Sequence, residues 1–254
     1  MGRMLIQEVL GTPGAELAGG VEPSGPAVGQ DLGTLVGAKA VRLAVGTDTR
    51  ALFAVSDAVI DFTTPAATKA HAELAGSLGK ALIVGTTGLS DDVSAAIAAA
   101  ARKSVIVQAP NFSVGVNVLL ALTEKLAATL GTDYDIDILE MHHRHKVDAP
   151  SGTALGLGES AAKGRRVALK DVARTTRDGQ VGARPAGEIG FATLRGGDVI
   201  GDHTVMFAGV GERIELTHKA STREIFAKGA VRAALWAAGK KPGLYAMRDV
   251  LGLS

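Results

Sequence analysis

The first half of the chain alternates short, continuously apolar runs with alanine-rich runs of helical length. Continuous apolar runs, rather than alternating ones, are typical of strands in a parallel sheet that helices cover on both faces. The pattern predicts an α/β domain built on a doubly wound, Rossmann-like parallel sheet. The predicted strands are residues 17–21, 58–62, 81–84 and 104–109, and the predicted helices are residues 4–10, 68–78 and 91–103.

The pattern changes beyond Asn111. An apolar run of helical length comes first, and then apolar residues alternate with aspartates from residue 133 to residue 138, the period of a half-buried strand. Glycine-rich turns separate three later runs, which we interpret as a meander of antiparallel hairpins at 189–195, 199–208 and 213–219. We therefore predict a second, α+β domain with a mixed or antiparallel sheet at residues 112–223. The first domain then comprises residues 1–111 together with residues 224–254.

Composition narrows the classes of function. The 27 basic and 26 acidic residues leave a net charge of +1, and 46% of the residues are hydrophobic. These values exclude a disordered chain and give no general attraction to nucleic acids or anionic membranes. The chain has no cysteine, which excludes thiolate chemistry and fits a reducing cytoplasm. Since no apolar run reaches the roughly 18 residues of a membrane helix, and the first residues do not resemble a signal peptide, we expect a cytoplasmic protein.

Titratable side chains are densest in segment 140–154, whose sequence is EMHHRHKVDAPSGTA. The segment follows a predicted strand, and the ends of strands are where α/β proteins build their sites. Imidazole titrates near neutral pH, so histidines beside Lys146 are suited to proton transfer. Ser151, Gly152 and Thr153 offer hydroxyl and backbone N–H groups at a predicted helix start, which favours an anion. The segment predicts a site that binds a carboxylate-rich small molecule and gives it a proton.

Three other interpretations of this segment stay open. Three histidines at this spacing are able to ligate zinc, but Arg144 and Lys146 would repel a cation, so we expect no metal. The segment is also compatible with a solvated basic loop that has no role. A nucleic-acid surface is disfavoured, because no aromatic residue is interleaved with the basic ones and the net charge is near zero.

Small and polar residues follow three predicted strands of the first domain. Gly85, Thr86 and Thr87 follow one strand, residues 61–63 end another, and residues 109–112 a third. One such turn alone is more often structural, but three at the same edge of a parallel sheet predict a dinucleotide site. At the end of the strand predicted at 17–21, Glu22 is placed to accept hydrogen bonds from a ribose. Because Pro23, and no cation, follows it, the pair favours NADH over NADPH.

A dinucleotide-binding fold opens with a strand and a glycine-rich turn into its first helix. Here the predicted helix 4–10 follows Met1, Gly2 and Arg3 directly, and these residues have the character of the end of such a turn. We expect Met1 to lie on the cofactor side of the domain, and the strand expected before this helix is not found in the given sequence.

The segment 140–154 resembles the signature of the 4-hydroxy-tetrahydrodipicolinate reductase family, also called dihydrodipicolinate reductase. The resemblance covers nearly the whole chain and implies an enzyme that reduces a cyclic dicarboxylate imine with NADH or NADPH in lysine and diaminopimelate biosynthesis. Further matching segments are DFTTP at 61–65, VGTTG at 84–88, APNFSVGVN at 109–117, GFATLRGGDVIGDHTVMFAGVGERIELTHKA at 190–220 and GAVRAALW at 229–236.

The resemblance also implies roles for individual residues. His142 would be the general acid/base, Lys146 a second proton donor, and residues 112–223 a domain for substrate binding and for assembly into a cytoplasmic homotetramer. The implied ligands of the substrate carboxylates are His143, Gly152 and Thr153. The implied cofactor-binding residues are Met1, Glu22, Gly85, Thr86, Thr87, Ala109, Pro110, Asn111 and Phe112. An alternative is a non-catalytic homologue that binds a dicarboxylate but has lost cofactor binding.

Overall fold

The computed structural model describes residues 1–253, which form two compact units. One unit comprises Met1–Val114 and the segment from Glu224 onwards, and the other comprises Gly115–Arg223.

The first unit begins with four helices and three strands. A representative helix, α3, starts at Pro65 because the Thr64 hydroxyl accepts a hydrogen bond from the Ala67 N–H at 3.4 Å. It ends at Gly79, which adopts a positive φ of 66°. In chain order the elements are α1 (Gly2–Gly11), α2 (Thr49–Val55), β1 (Ala58–Asp61), α3 (Pro65–Leu78), β2 (Ala81–Val84), α4 (Asp91–Ala101) and β3 (Val105–Gln108).

The second unit is one five-stranded sheet with helices against it. The strand order is β5-β6-β4-β7-β8, with β4 parallel to β6 and antiparallel to β7. The apolar core lies between one face of this sheet and the helices α5 and α6. The elements are α5 (Val114–Leu130), β4 (Asp135–His142), α6 (Gly152–Arg165), α7 (Leu169–Val172), β5 (Ala173–Arg174), β6 (Ile189–Arg195), β7 (Gly201–Ala208) and β8 (Arg213–Ala220).

The chain then returns to the first unit through α8 (Glu224–Ala237), β9 (Gly243–Tyr245) and α9 (Met247–Leu251). The four strands of this unit are all parallel, in the order β1-β2-β3-β9. Successive residues of β2 enter different cores, since Ile83 packs on the side of α8 whereas Leu82 and Val84 pack on the side of α3 and α4. Burial on both faces explains the continuous apolar runs, and the predicted combination of a Rossmann-like sheet with a mixed second sheet is confirmed.

The strand predicted at 17–21 is wrong. Val21 makes one isolated bridge to Gly46, and no ladder forms along the segment. Residues 14–22 and residues 57–63 line the same cavity of about 890 Å³, which separates this segment from β1. The Glu22 N–H donates to the Gly46 carbonyl at 3.0 Å and the Gly46 N–H donates to the Gly20 carbonyl at 2.9 Å, but this single bridge is not extended into a ladder.

The meander of consecutive hairpins is only partly correct. The hairpin of β7 and β8 is antiparallel, and the Gly209 N–H donates to the Glu212 carbonyl at 3.0 Å in its turn. However, β6 and β7 do not pair, because β4 lies between them and bonds to both. Pairing between strands that are distant in sequence is not visible in local alternation.

Within residues 1–253, no helix combines the length and the apolar character needed to cross a membrane.

Candidate active site

The strand β4 delivers two polar side chains to the covered face of its sheet. Its burial alternates strictly, so Glu140 and His142 point to the same side as the core residues Ile136 and Ile138. Glu140 is 1% exposed and His142 is 9% exposed. Buried polar groups of this kind require partners, and those partners define the site.

Glu140 is the most heavily bonded of these groups. Its carboxylate accepts two hydrogen bonds from the Arg195 guanidinium, at 2.8 and 2.9 Å, and one from the Ser151 N–H at 3.1 Å. Burial by itself would raise the pKa of Glu140, but the hydrogen bonds from Arg195 and His142 outweigh it and hold the pKa below its ordinary value. Glu140 is therefore ionised at neutral pH.

The His142 ring lies between this carboxylate and a second histidine. Its Nδ1 is 2.6 Å from Glu140 Oε2, and its ring packs edge-on against that of His203 with centroids 5.1 Å apart. Burial lowers the pKa of His142, and the positive charges of Lys146 and Arg195 add to this, while Glu140 opposes it. The net direction is downward, so the ring is neutral at neutral pH before any substrate binds.

The turn after β4 is fixed by backbone hydrogen bonds. The His143 N–H donates to the Val199 carbonyl at 2.7 Å, and the Gly196 N–H donates to the His142 carbonyl at 3.0 Å. The Lys146 N–H donates to the His143 carbonyl at 3.1 Å, which closes the turn. These bonds place the backbone of Lys146 one short turn away from His142.

The turn also carries charged and titratable side chains. The Lys146 side chain is 20% exposed, and its ammonium donates to the Asp148 carboxylate at 2.7 Å. The rings of His143 and His145 lie 6.3 Å apart. Within residues 1–253, no three histidine or carboxylate side chains gather as a metal ion would need.

The N-terminus of α6 supplies anion-binding groups. The Ser151 hydroxyl accepts from the Ala154 N–H at 3.1 Å and lies 3.0 Å from His203 Nε2. Gly152 is exposed, and no atom lies within 4 Å of the position that a Cβ would take there. The positive end of the helix dipole lies at Gly152 and Thr153, so this helix start is suited to a carboxylate.

His203 holds this helix start from the neighbouring strand. It is 4% exposed, and burial lowers its pKa to about 4, with a smaller contribution from His142. His203 is therefore neutral across the physiological range, and its Nδ1 has no hydrogen-bond partner among the described residues.

In the first unit, the ends of β1 and β2 are tied together. Asp61, which is 1% exposed, accepts from the Thr63 hydroxyl at 2.5 Å and from the Thr86 hydroxyl at 3.3 Å, and lies 3.1 Å from His71 Nδ1. The Thr86 hydroxyl in turn accepts from the Thr63 N–H at 3.0 Å. Gly85 lies directly under the Phe62 ring, where a Cβ would come within 2.4 Å of ring atoms. Glycine is required there because the two loops approach so closely.

The end of β3 joins the same edge. The Ala109 N–H donates to the Val84 carbonyl at 3.1 Å, and the Phe112 ring lies 5.6 Å from the Phe62 ring. Ala109 and Phe112 are buried, whereas Pro110 is exposed. The predicted cofactor residues of segments 85–87 and 109–112 therefore do converge at one edge of the sheet.

Two other predicted cofactor residues lie elsewhere in this unit. Glu22 is exposed and lines the cavity of about 890 Å³ together with Thr63 and His71. Met1 is the residue before α1 and does not line that cavity, although Gly2 does.

The loops at the strand ends offer hydrogen-bond donors of the kind that bind a dinucleotide. Thr87 and Gly88 are exposed, and their backbone N–H groups make no hydrogen bond to any described residue. Such N–H groups are able to donate to a carboxamide or a phosphate, and small side chains around them leave the backbone accessible.

Sequence reasoning missed several of these functional side chains. It gave no role to Glu140, Arg195 or His203, and it placed Asp61 only as part of a strand end at the predicted dinucleotide edge. The two-residue period of β4 carries a usable signal, because it places Glu140 and His142 on the face of Ile136. Arg195 and His203 carried no signal, since strand pairing alone brings them to β4.

Family models and relatives match the whole chain. The model of the dihydrodipicolinate reductase N-terminus matches residues 1–112, and that of its C-terminus matches residues 115–251. A 4-hydroxy-tetrahydrodipicolinate reductase of Methylocella silvestris is 56% identical over all of this chain and 93% of the relative. One from Brucella abortus (strain 2308) is 54% identical over all of this chain and 96% of the relative.

Solved structures share the fold. The dipicolinate-bound dihydrodipicolinate reductase from Paenisporosarcina sp. TG-14 has a TM-score of 0.75 at 23% identity, covering 97% of this chain and 93% of that one. GenD2 from gentamicin A biosynthesis, in complex with NAD, has a TM-score of 0.58 at 17% identity, covering 99% and 87%.

The parallel sheet with loops at its strand ends is Rossmann-like, and the family models together with the relatives make the chain an oxidoreductase. The two matching models and the relatives above 50% identity identify it further. The chain belongs to the dihydrodipicolinate reductase family.

Proposed function

We propose that this chain reduces 4-hydroxy-tetrahydrodipicolinate to tetrahydrodipicolinate with NADH or NADPH, in lysine and diaminopimelate biosynthesis. The observation that carries the proposal is the end of β4, where an imidazole bonded to a buried carboxylate stands beside the cation Lys146 and the start of α6. A dicarboxylate requires positive charge and N–H donors, and a reduced imine requires a proton. This one segment offers all of them.

The two carboxylates of the substrate are assigned to the cations and the helix start. Lys146, His143 and the N–H groups at Gly152 and Thr153 would hold the dianion by charge and hydrogen bonds. The dipicolinate bound by the relative from Paenisporosarcina is a dicarboxylate of the same class. Binding a dianion raises the pKa of His142, which counteracts the lowering caused by burial and charges the ring.

The conversion needs one hydride and one proton, and it releases one water, because loss of the 4-hydroxyl group with a neighbouring hydrogen gives the conjugated imine that is reduced. The loops at the strand ends of the first unit would hold the nicotinamide, whose chemistry would be to give a hydride to a ring carbon of the conjugated imine. Negative charge builds on the atom conjugated to that carbon, and cations at His142 and Lys146 stabilise it. A proton then passes from His142 or Lys146 to that atom, so the bond from nitrogen to hydrogen breaks as the new bond forms.

The direct test is an absorbance assay at the NADH band with freshly generated substrate. We expect oxidation of NADH that depends on the substrate and persists after exhaustive chelation. A chain that binds dipicolinate in a calorimeter, but neither binds nor oxidises NADH, would instead be a non-catalytic homologue.

The cofactor preference that we propose is for NADH. Glu22 is exposed on the cavity and is followed by Pro23 in the sequence, so a 2′-phosphate beside it would meet a carboxylate, and the next residue is no cation, although Arg3 lines the same cavity. The ratio of kcat/KM for the two cofactors measures this preference.

The assembly that we propose is a homotetramer formed through the second unit. One face of its sheet packs on α5 and α6, whereas the opposite face carries half-buried or exposed apolar side chains, Leu139, Met141, Leu194 and Met206. An apolar open sheet face is a surface for another copy of the chain. Size-exclusion chromatography with light scattering tests this, and a monomer at micromolar concentration would contradict it.

A further inference from the structure

The carboxylate of Glu140 makes four hydrogen bonds, two on each oxygen. Oε1 accepts from Arg195 at 2.9 Å and from the Ser151 N–H at 3.1 Å. Oε2 accepts from Arg195 at 2.8 Å and lies 2.6 Å from His142 Nδ1. One buried group thus touches the imidazole, the end of β6 and the start of α6.

These bonds determine where the hydrogen of His142 lies. An ionised carboxylate only accepts hydrogen bonds, and the guanidinium of Arg195 keeps Glu140 ionised. His142 Nδ1 must therefore carry the hydrogen of this short contact. In a neutral ring the other nitrogen, Nε2, then carries the lone pair.

The surroundings of Nε2 leave it accessible to a ligand. Among the described residues, Nε2 has no hydrogen-bond partner. The nearby residue is Gly201, where a Cβ would come within 3.0 Å of Nε2. A side chain at this position would crowd the atom, and glycine keeps the space open.

We propose that Glu140, kept ionised by Arg195, is a positioning residue that fixes His142 as the Nδ1–H tautomer and makes Nε2 the atom that exchanges protons with the substrate. The same carboxylate ties the ring to the helix start that would hold the substrate carboxylates. This inference rests on the proposed function for its substrate, but the state of the ring is measurable without turnover.

In the reaction, the hydrogen on Nδ1 remains in place. Protonated His142 loses the proton on Nε2 to the substrate atom that carries the electron pair, and the ring returns to its neutral Nδ1–H form. The charged groups near the ring are Glu140 on its own strand, Arg195 from β6 and Lys146 from the following turn, and the titratable but neutral ring of His203 packs against it from β7.

The first test is the tautomer of His142, read from the ¹⁵N signals of its two ring nitrogens and assigned through their loss in His142→Asn. We expect the Nδ1–H form in the unmodified chain. In Glu140→Gln the single amide oxygen serves Arg195, so the amide NH₂ faces Nδ1 and the tautomer changes to Nε2–H. The matched control, Glu124→Gln, removes a carboxylate that pairs with Lys163 on the helices and leaves the tautomer unchanged.

The second test is kinetic. We expect Glu140→Gln to lower kcat at least about tenfold, as for loss of a positioned general acid, with KM for NADH within twofold. Because the Glu140 carboxylate raises the pKa of His142, its removal shifts the alkaline limb of the kcat profile to lower pH. A purely structural role would lower kcat without moving that limb.

Arg195→Lys keeps the charge but loses the paired hydrogen bonds, and we expect a smaller loss of kcat with a mixed tautomer. The proposal is overturned if the unmodified chain holds His142 as the Nε2–H form, a result that needs no variant to fold. It is also overturned if Glu140→Gln retains both the tautomer and the kcat. Absence of turnover in a chain with the Nδ1–H form would refute the proposed function and leave the positioning intact.

Discussion

Two buried carboxylates, Glu140 and Asp61, stand at the carboxyl ends of strands in different units, and each bonds to a histidine Nδ1. Both are 1% exposed. The cost of burying the Glu140 charge is offset by two hydrogen bonds from one guanidinium. For Asp61 it is offset by two threonine hydroxyls and His71. Burial would raise the pKa of each, and in both the hydrogen bonds prevail and lower it.

The difference between the two carboxylates lies in what they hold. The partners of Glu140 are groups that carry or exchange protons, and the ring it bonds is open at its other nitrogen. The partners of Asp61 are the hydroxyls of two loops and the ring of His71, so Asp61 joins the ends of β1 and β2 at the edge where we expect the cofactor. In the function that we propose, Glu140 would position the proton-transferring ring, whereas Asp61 links two loops.

The largest effect that we expect is on kcat, when either of the two predicted proton donors is removed. His142→Ala and Lys146→Ala should each lower kcat by between about tenfold and about 10⁴-fold, because each removes a general acid or the charge that stabilises the reduced substrate. Lys146→Ala should also raise KM, since the substrate is a dianion. Steady-state assays check this, with Lys69→Ala as a control that removes a lysine from an exposed ion pair. Near-normal turnover in His142→Ala would contradict its role.

The next effect is the pH dependence of stability that arises from His203. The folded pKa is about 4 and the ordinary value is 6.5. As pH falls below 6.5, the unfolded chain takes up a proton there that the folded chain does not take up until pH 4, so unfolding becomes easier. Between pH 6.5 and pH 4 the free energy of unfolding therefore falls by about 3 kcal/mol, since each unit of pKa difference corresponds to about 1.36 kcal/mol.

Chemical denaturation between pH 7 and pH 4 measures this loss. Over that range we expect the free energy of unfolding of His203→Gln to fall by about 3 kcal/mol less than that of the unmodified chain. Equal losses in both chains would mean that His203 titrates normally in the folded state.

A smaller effect is expected at Asp61. Asp61→Asn introduces an amide NH₂ among hydroxyls and His71, and we expect a loss of stability of about 1–3 kcal/mol together with weaker NADH binding. Urea denaturation and calorimetry measure the two quantities. Asp92→Asn, at an aspartate that is 62% exposed, is the matched control, with an expected change below about 0.5 kcal/mol. If Asp61→Asn binds NADH normally, the loops do not depend on this carboxylate.

The smallest effect is expected at Glu22. Removal of an exposed charge changes a free energy by at most about 1 kcal/mol, so Glu22→Gln should raise the NADPH-to-NADH ratio of kcat/KM about two- to fivefold. Competition kinetics with the two cofactors measures it. An unchanged ratio would show that Glu22 does not face the ribose.

The sequence reveals those parts of the fold that depend on local patterns. Continuous apolar runs predicted the strands β1, β2 and β3, because burial on both faces of a parallel sheet removes the polar alternation. The same signal failed at residues 17–21, where an apolar run lies beside a cavity and has no strand to pair with. Apolar character reports burial, but a strand also needs a partner.

The site shows the same limit. His142 and Lys146 stood out because titratable residues crowd one segment, and the glycine turns stood out because they follow strands. Arg195 and His203 did not, because β6 and β7 lie far along the chain and reach β4 only through the register of the sheet. Contacts across strands therefore have to be read from the structure.

The most direct test of the account is the rate of NADH oxidation with freshly generated 4-hydroxy-tetrahydrodipicolinate, for the unmodified chain and for His142→Ala side by side. The account predicts turnover in the unmodified chain and a kcat at least about tenfold lower in the variant. Turnover that is equal in both, or absent from the unmodified chain while NADH still binds, would contradict it.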